Sequence, residues 1–127
     1  MLYSILLGLM SFTGTTVAAC SRELLQETAD KYVYLQATGD HSLFDNLSYD
    51  LIYTENNKSS SILSGLPAWG LTIAHNFSIL DTENCATFTE LIVTDPKHPY
   101  VIGAQMHLDD EGNVARIDQL VTQAGDW

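Results

Sequence analysis

The chain has 127 residues, sixteen acidic side chains against five basic ones, and a formal charge of −11. That length makes one domain of ordinary size. Arg22, Lys31, Lys58, Lys97 and Arg116 are scattered singly, which excludes nucleic acid and anionic membrane as partners, since both demand clustered cations against phosphate. The acidic surface serves solubility.

Residues 1–19, MLYSILLGLMSFTGTTVAA, hold an apolar run from Leu2 to Met10, then small residues ending Val17-Ala18-Ala19. This reads as a secretory signal cleaved after Ala19, although no Lys or Arg precedes Arg22. Ser11, Thr13 and Gly14 interrupt it too early for a membrane span of about 20 apolar residues, so no stable anchor remains after cleavage. Val17-Ala18-Ala19-Cys20 also loosely fits a bacterial lipoprotein signal. Three N-glycosylation sequons, at Asn46, Asn57 and Asn76, favour a eukaryotic secretory route instead. The expected product is a secreted or secretory-lumen glycoprotein, a single domain over residues 20–127. Its two cysteines, Cys20 and Cys85, most simply pair with each other in an oxidising compartment.

Ser21 to Thr38 predicts a helix, capped by Ser21 and ended by Gly39, with Leu25, Ala29, Tyr32 and Gln36 facing inward. Asp40 to Leu47 predicts a short helix or turn. Tyr49 to Glu55 alternates as a strand, and residues 56–70 read as a loop with a helical turn near Leu66-Pro67-Ala68. Four strands complete the chain, at 72–80, 85–94, 99–108 and 114–122. The expected fold class is α+β: a long N-terminal helix packed on a curved, mainly antiparallel sheet.

The segment IAHNFSILDTENCATFTELIV raises the functional question. Turning at Asp81-Thr82-Glu83-Asn84, it sets Ile73 opposite Ile92, Phe77 opposite Phe88 and Ile79 opposite Ala86. His75 and Glu90 then meet on the same apolar face. An imidazole between a carboxylate and apolar surroundings can titrate near neutrality and act as general acid or base, while the plainer alternative is a register-fixing structural pair. Asn76 falls on the other side of that strand. Pairing Leu108 with Asn113 buries Ile102, Ala104 and Met106, and one extra residue in the 95–98 turn brings them beneath Phe88 and Glu90; a one-residue slip substitutes Val101, Gly103, Gln105 and His107. Glu55 is expected at the pocket rim, with Tyr32 and Tyr53 as hydroxyl donors.

Cys20 after the signal, Thr54-Glu55-Asn56, Cys85 to Glu90 (C-x-T-F-x-E), HPYVIG and the closing GDW together resemble a group of small secreted fungal proteins of unknown function. The order of elements is also similar to the nuclear transport factor 2-like (polyketide-cyclase-like) superfamily. That resemblance implies a cone of sheet closed by helices around a pocket, and relatives such as ketosteroid isomerase and scytalone dehydratase. None of their catalytic motifs recurs here. The four His have no metal-ligand spacing, and there is neither a phosphate-binding glycine loop nor G-x-S-x-G. No metal or cofactor is therefore expected.

Two functions follow. One is a cofactor-free isomerase, cyclase or dehydratase of an apolar secondary metabolite, with His75, Glu90 and Glu55 catalytic and Tyr32, Tyr53, Phe77, Phe88 and Met106 around the ligand. The other is a non-catalytic module holding a small hydrophobic molecule. The outer sheet face leaves room for a homodimer.

Overall fold

The computed structural model describes residues 20–127, so the signal read over residues 1–19 lies outside the described residues. Helix α1 (Arg22–Thr38) ends where its capping chemistry dictates. Ser21 Oγ accepts from the Leu24 amide, and Gly39, at φ 72°, donates its amide to the Leu35 carbonyl. Residues 40–46 turn rather than continue as helix, because the Asp40 carboxylate captures the Ser42 amide.

Six strands follow: β1 (Leu47–Glu55), β2 (Lys58–Ser59), β3 (Ile73–Asp81), β4 (Ala86–Val93), β5 (Tyr100–Leu108) and β6 (Val114–Gln123). A 3-10 turn, Leu66–Ala68, stands between β2 and β3. All six make one sheet in the order β2-β1-β6-β5-β4-β3, antiparallel except where β1 lies parallel to β6. Strand β2 exists because Asn56 and Asn57 both take left-handed φ, 49° and 64°, as a two-residue hairpin requires. The sequence reading treated that segment as loop.

One sheet face packs under α1. The helix presents Leu25, Thr28, Ala29, Tyr32, Leu35 and Gln36, and the sheet answers with Leu91, Val93, Ile102, Ala104, Met106 and Ile117, all buried. Each such apolar side chain contributes about 1.5–3 kcal/mol relative to exposure. At the end of the helix the backbone approaches the 3-10 turn too closely for side chains. A Cβ on Gly39 would stand 2.7 Å from the Ala68 carbonyl oxygen. The Leu71 amide closes this junction by donating to the Gln36 carbonyl at 2.8 Å. At the other end a disulfide joins Cys20 to Cys85 with 5.3 Å between their Cα atoms, fastening the start of α1 to the β3–β4 loop.

Two registers differ from expectation. In the β3–β4 hairpin Asp81 remains paired with Ala86, so Phe77 faces Glu90, Ile79 faces Phe88 and His75 faces Ile92. The loop is displaced by one residue because Asp81 Oδ1 accepts from the amides of Glu83 and Asn84, while Cys85 turns at φ 55°. In β5–β6, Ile102, Ala104 and Met106 lie opposite Val121, Gln119 and Ile117, inward as expected, with a bulge at Leu108. They do not, however, share a face with Phe88 and Glu90. The β4–β5 connection carries no extra residue, so Glu90 lies opposite Gly103 and Phe88 opposite Gln105.

Candidate functional site

Polar side chains thread the core between α1 and the sheet. Tyr32 Oη donates to Gln119 Oε1 at 2.7 Å, Gln119 Nε2 to Gln36 Oε1 at 3.4 Å, and Gln36 Nε2 to the Leu66 carbonyl at 3.1 Å. Tyr32, Gln36 and Gln119 are buried, and each unmade bond there would cost about 1–3 kcal/mol. Beside this chain stands Glu55 at the end of β1. Its Oε1 accepts from the Tyr53 hydroxyl at 2.6 Å and from the Leu66 amide at 2.5 Å. Glu55 thus ties residues 60–66, a strap running along β1, to the sheet. Gly65 completes that contact, because a Cβ there would strike Glu55 Oε1 and come within 2.9 Å of the Ser61 carbonyl.

Burial, then the Glu55 charge, holds the Tyr32 phenol far above its ordinary pKa. Burial, then the hydrogen bond to Glu55, does the same to Tyr53. Both phenols stay protonated throughout the physiological range and keep donating to Gln119 and Glu55.

A slot opens between β1 and the strap. Five residue steps of β1, Leu47 to Ile52, span only two of β6, Val114 to Arg116, so the middle of β1 bulges off its neighbour. The space left is about 310 Å³, lined by Leu47, Tyr49, Leu51, Tyr53, Ile62 and Leu63, with Ser48, Ser60 and Ser61 as its polar edge. Tyr53 is only 4% exposed and joins the slot to Glu55 behind it, whereas Tyr49, at 106%, stands free at the mouth. This volume lies at the small end of the range for small-molecule sites. A larger depression of about 480 Å³ along Arg22–Asp30 has one helix as its only wall and encloses nothing. Among the described residues no three His, Cys, Asp or Glu side chains gather as a metal site would require.

The expected site residues divide between the two sheet faces. Tyr32, Tyr53, Glu55 and Met106 gather on the side of α1 and the strap. His75, Glu90, Phe77 and Phe88 lie on the opposite face, where His75 is exposed, Glu90 half-buried, and Phe77 and Phe88 are 56% and 42% exposed. The apolar hollow expected around His75 and Glu90 is therefore corrected. They are diagonal neighbours, joined by neither a hydrogen bond nor an ion pair among the described residues. The physical reason is that β4 offers two candidate faces. Ala86, Phe88, Glu90 and Ile92 look the more apolar, yet Thr87, Thr89, Leu91 and Val93 are the buried set, flanked by Ile102 and Ala104. Trp69, just after the 3-10 turn, is 65% exposed.

Asn57 and Asn76 are exposed, but Asn46 is not free. Its Nδ2 donates to Thr28 Oγ1 at 3.1 Å and to the Gly112 carbonyl at 3.2 Å. The slot-lining residues Leu47, Ile62 and Leu63 escaped the sequence reading. Their signal was the serine-rich run beside them, which looked merely solvated.

This arrangement, one helix over a six-stranded, mostly antiparallel sheet, has a counterpart among solved structures. The chain is similar to an NTF-2 like protein of unknown function from Burkholderia xenovorans LB400, at 18% identity and a TM-score of 0.59, over 83% of this chain and 88% of that one. At such identity the likeness concerns the fold. No protein-family model and no curated protein matches the chain.

Proposed function

We propose that the chain binds a small hydrophobic molecule in the β1–strap slot, as an exported pocket protein. The observation that carries this is the slot itself: five large apolar side chains around about 310 Å³, with a buried phenol at its floor. Apolar walls with one or two oriented polar groups are what such ligands need. The Cys20–Cys85 disulfide supports an oxidising compartment, and among the described residues no helix is long and apolar enough to cross a membrane.

A catalytic variant of the same reading, an isomerase, cyclase or dehydratase of an apolar secondary metabolite, draws support from the 2.6 Å Tyr53–Glu55 bond. Proton transfer would then fall to that pair rather than to His75 and Glu90, which lie on the far side of the sheet.

The test is titration with a neutral hydrophobic fluorophore, together with native mass spectrometry of the protein as isolated. Leu51→Asp and Leu63→Asp should each weaken dye binding about tenfold or more by placing a carboxylate against the ligand. Unchanged dye affinity in both folded variants refutes the slot.

A further inference from the structure

A second depression, of about 350 Å³, lies on the sheet face turned away from α1. Its base is Gly103 in the middle of β5, where no side chain fills the gap between Phe88 on β4 and Leu120 on β6. The Phe88 ring leans over that gap, its atoms 3.2–3.3 Å from where a Cβ on Gly103 would stand. Phe88 and Leu120 are 42% and 57% exposed, so both walls are open apolar surface. Gln105, Arg116 and Asp118 supply a polar side. Asp118 accepts from the Arg116 guanidinium at 2.6 and 3.0 Å and from Thr54 Oγ1 at 2.7 Å. The pair neutralises itself, and the guanidinium keeps N–H donors to spare.

Asn57 stands on the rim of this depression. It is the exposed tip of the β1–β2 hairpin, at φ 64°. Asn56 anchors that tip, its side chain bonding both backbone groups of Val121 at 2.8 and 3.2 Å. Asn57-Lys58-Ser59 is one of the three sequons. We propose that a neutral N-linked glycan on Asn57 folds back into the depression and covers the middle of the outer sheet face, an inference that rests on the exported part of the functional reading but not on the slot. Attachment joins Asn57 Nδ2 to C1 of the first sugar, breaks the C1–O bond of a polyprenyl-diphosphate-linked oligosaccharide donor and releases an amide proton, with no redox change.

Reach, chemistry and charge select this occupant. From Asn57, at the end of β1, to Phe88 on β4 is three strand spacings, about 14 Å, so the first sugars cross β6 and β5. A pyranose ring offers a C–H face to Phe88 and Leu120, and hydroxyls to the Gln105 amide and the guanidinium. On a chain of net charge −11 an anionic occupant is repelled, whereas an uncharged saccharide meets a pair already neutralised. Asn76 cannot serve, because it alternates to the other side of β3 from Phe77.

The full chain, made in a eukaryotic secretory host, tests this by glycopeptide mapping and hydroxyl-radical footprinting of the wild type, Asn57→Gln and Ser59→Ala. The expected result is Asn57 occupied in the wild type, with Phe88 and Leu120 oxidised several-fold more slowly than in the two bare variants. Leu43, exposed on a turn off this face, should react equally in all three. Equal oxidation of Phe88 and Leu120 with and without the glycan overturns the proposal, as does protection that extends equally to Leu43. Asn57 bare while Asn76 is occupied overturns it and leaves export standing; a chain bare at every sequon overturns both. Weakening of dye binding by Leu51→Asp, measured with and without Asn57→Gln, reports the slot separately.

Discussion

Replacing Glu55 probes how the strap is held. Its Oε1 carries two hydrogen bonds, from the buried Tyr53 hydroxyl at 2.6 Å and the Leu66 amide at 2.5 Å. Bonds to a charged acceptor contribute about 1.5–3 kcal/mol each, so Glu55→Ala should cost about 3–6 kcal/mol. That is a large share of the roughly 5–15 kcal/mol that holds a domain of this size. Glu55→Gln keeps an acceptor oxygen in place and should cost about 2–3 kcal/mol, the difference between charged and neutral acceptors summed over both bonds. Urea unfolding followed by circular dichroism measures both, with an unchanged slope confirming that the denatured state is the same. Hydrogen exchange at the Leu66 amide should accelerate in Glu55→Ala and much less in Glu55→Gln. If Ala costs under about 1 kcal/mol, or Gln costs as much as Ala, Glu55 does not tether the strap.

The raised phenols predict alkaline instability. Tyr32 and Tyr53 keep their protons in the folded state beyond the pH at which they ionise when unfolded, so their contribution is fully present below about pH 10 and is lost as pH rises towards their folded values. Each should cost about 1.4 kcal/mol per pH unit above that point, and Tyr53→Phe should remove one such unit of slope in unfolding experiments from neutral to alkaline pH. Among the sequons, a sugar on Asn46 Nδ2 would displace one of two interior donations. Glycopeptide mapping of protein from a glycosylating host should find occupancy at Asn57 or Asn76 and none at Asn46; a glycan on Asn46 in the folded protein contradicts this assignment.

Capping and periodicity located the elements because those signals are local. Ser21, Gly39 and the Leu25–Tyr32–Gln36 stripe determine α1 without help from the rest of the chain. The disulfide was equally legible, since two cysteines leave a single intramolecular pairing. The face of β4 was not. Alternation says only that Phe88 and Glu90 point opposite to Thr89 and Leu91, and which set is buried depends on what β5 and α1 bring to each side. Threonines closed inward because Leu91, Val93 and Ile102 accompany them, while two phenylalanines remained outside. That Tyr32, Tyr53 and Met106 turn inward was readable from strand and helix phase. The slot was not, because it arises from a long-range mismatch between β1 and β6 that no local pattern encodes.

The parallel pairing of β1 with β6 has a consequence for synthesis. Strand β6 is the last of the six to be made, yet it sits in the middle of the sheet, between β1 and β5. Until it emerges, the nascent chain holds two unjoined fragments, each with a naked apolar edge. Folding must therefore wait on a contact spanning much of the chain, which slows it and lengthens exposure to aggregation. A stop codon ahead of Val114 would leave no strand to join β1 to β5, so even a modest truncation should send the product to quality control rather than yield a shorter folded domain.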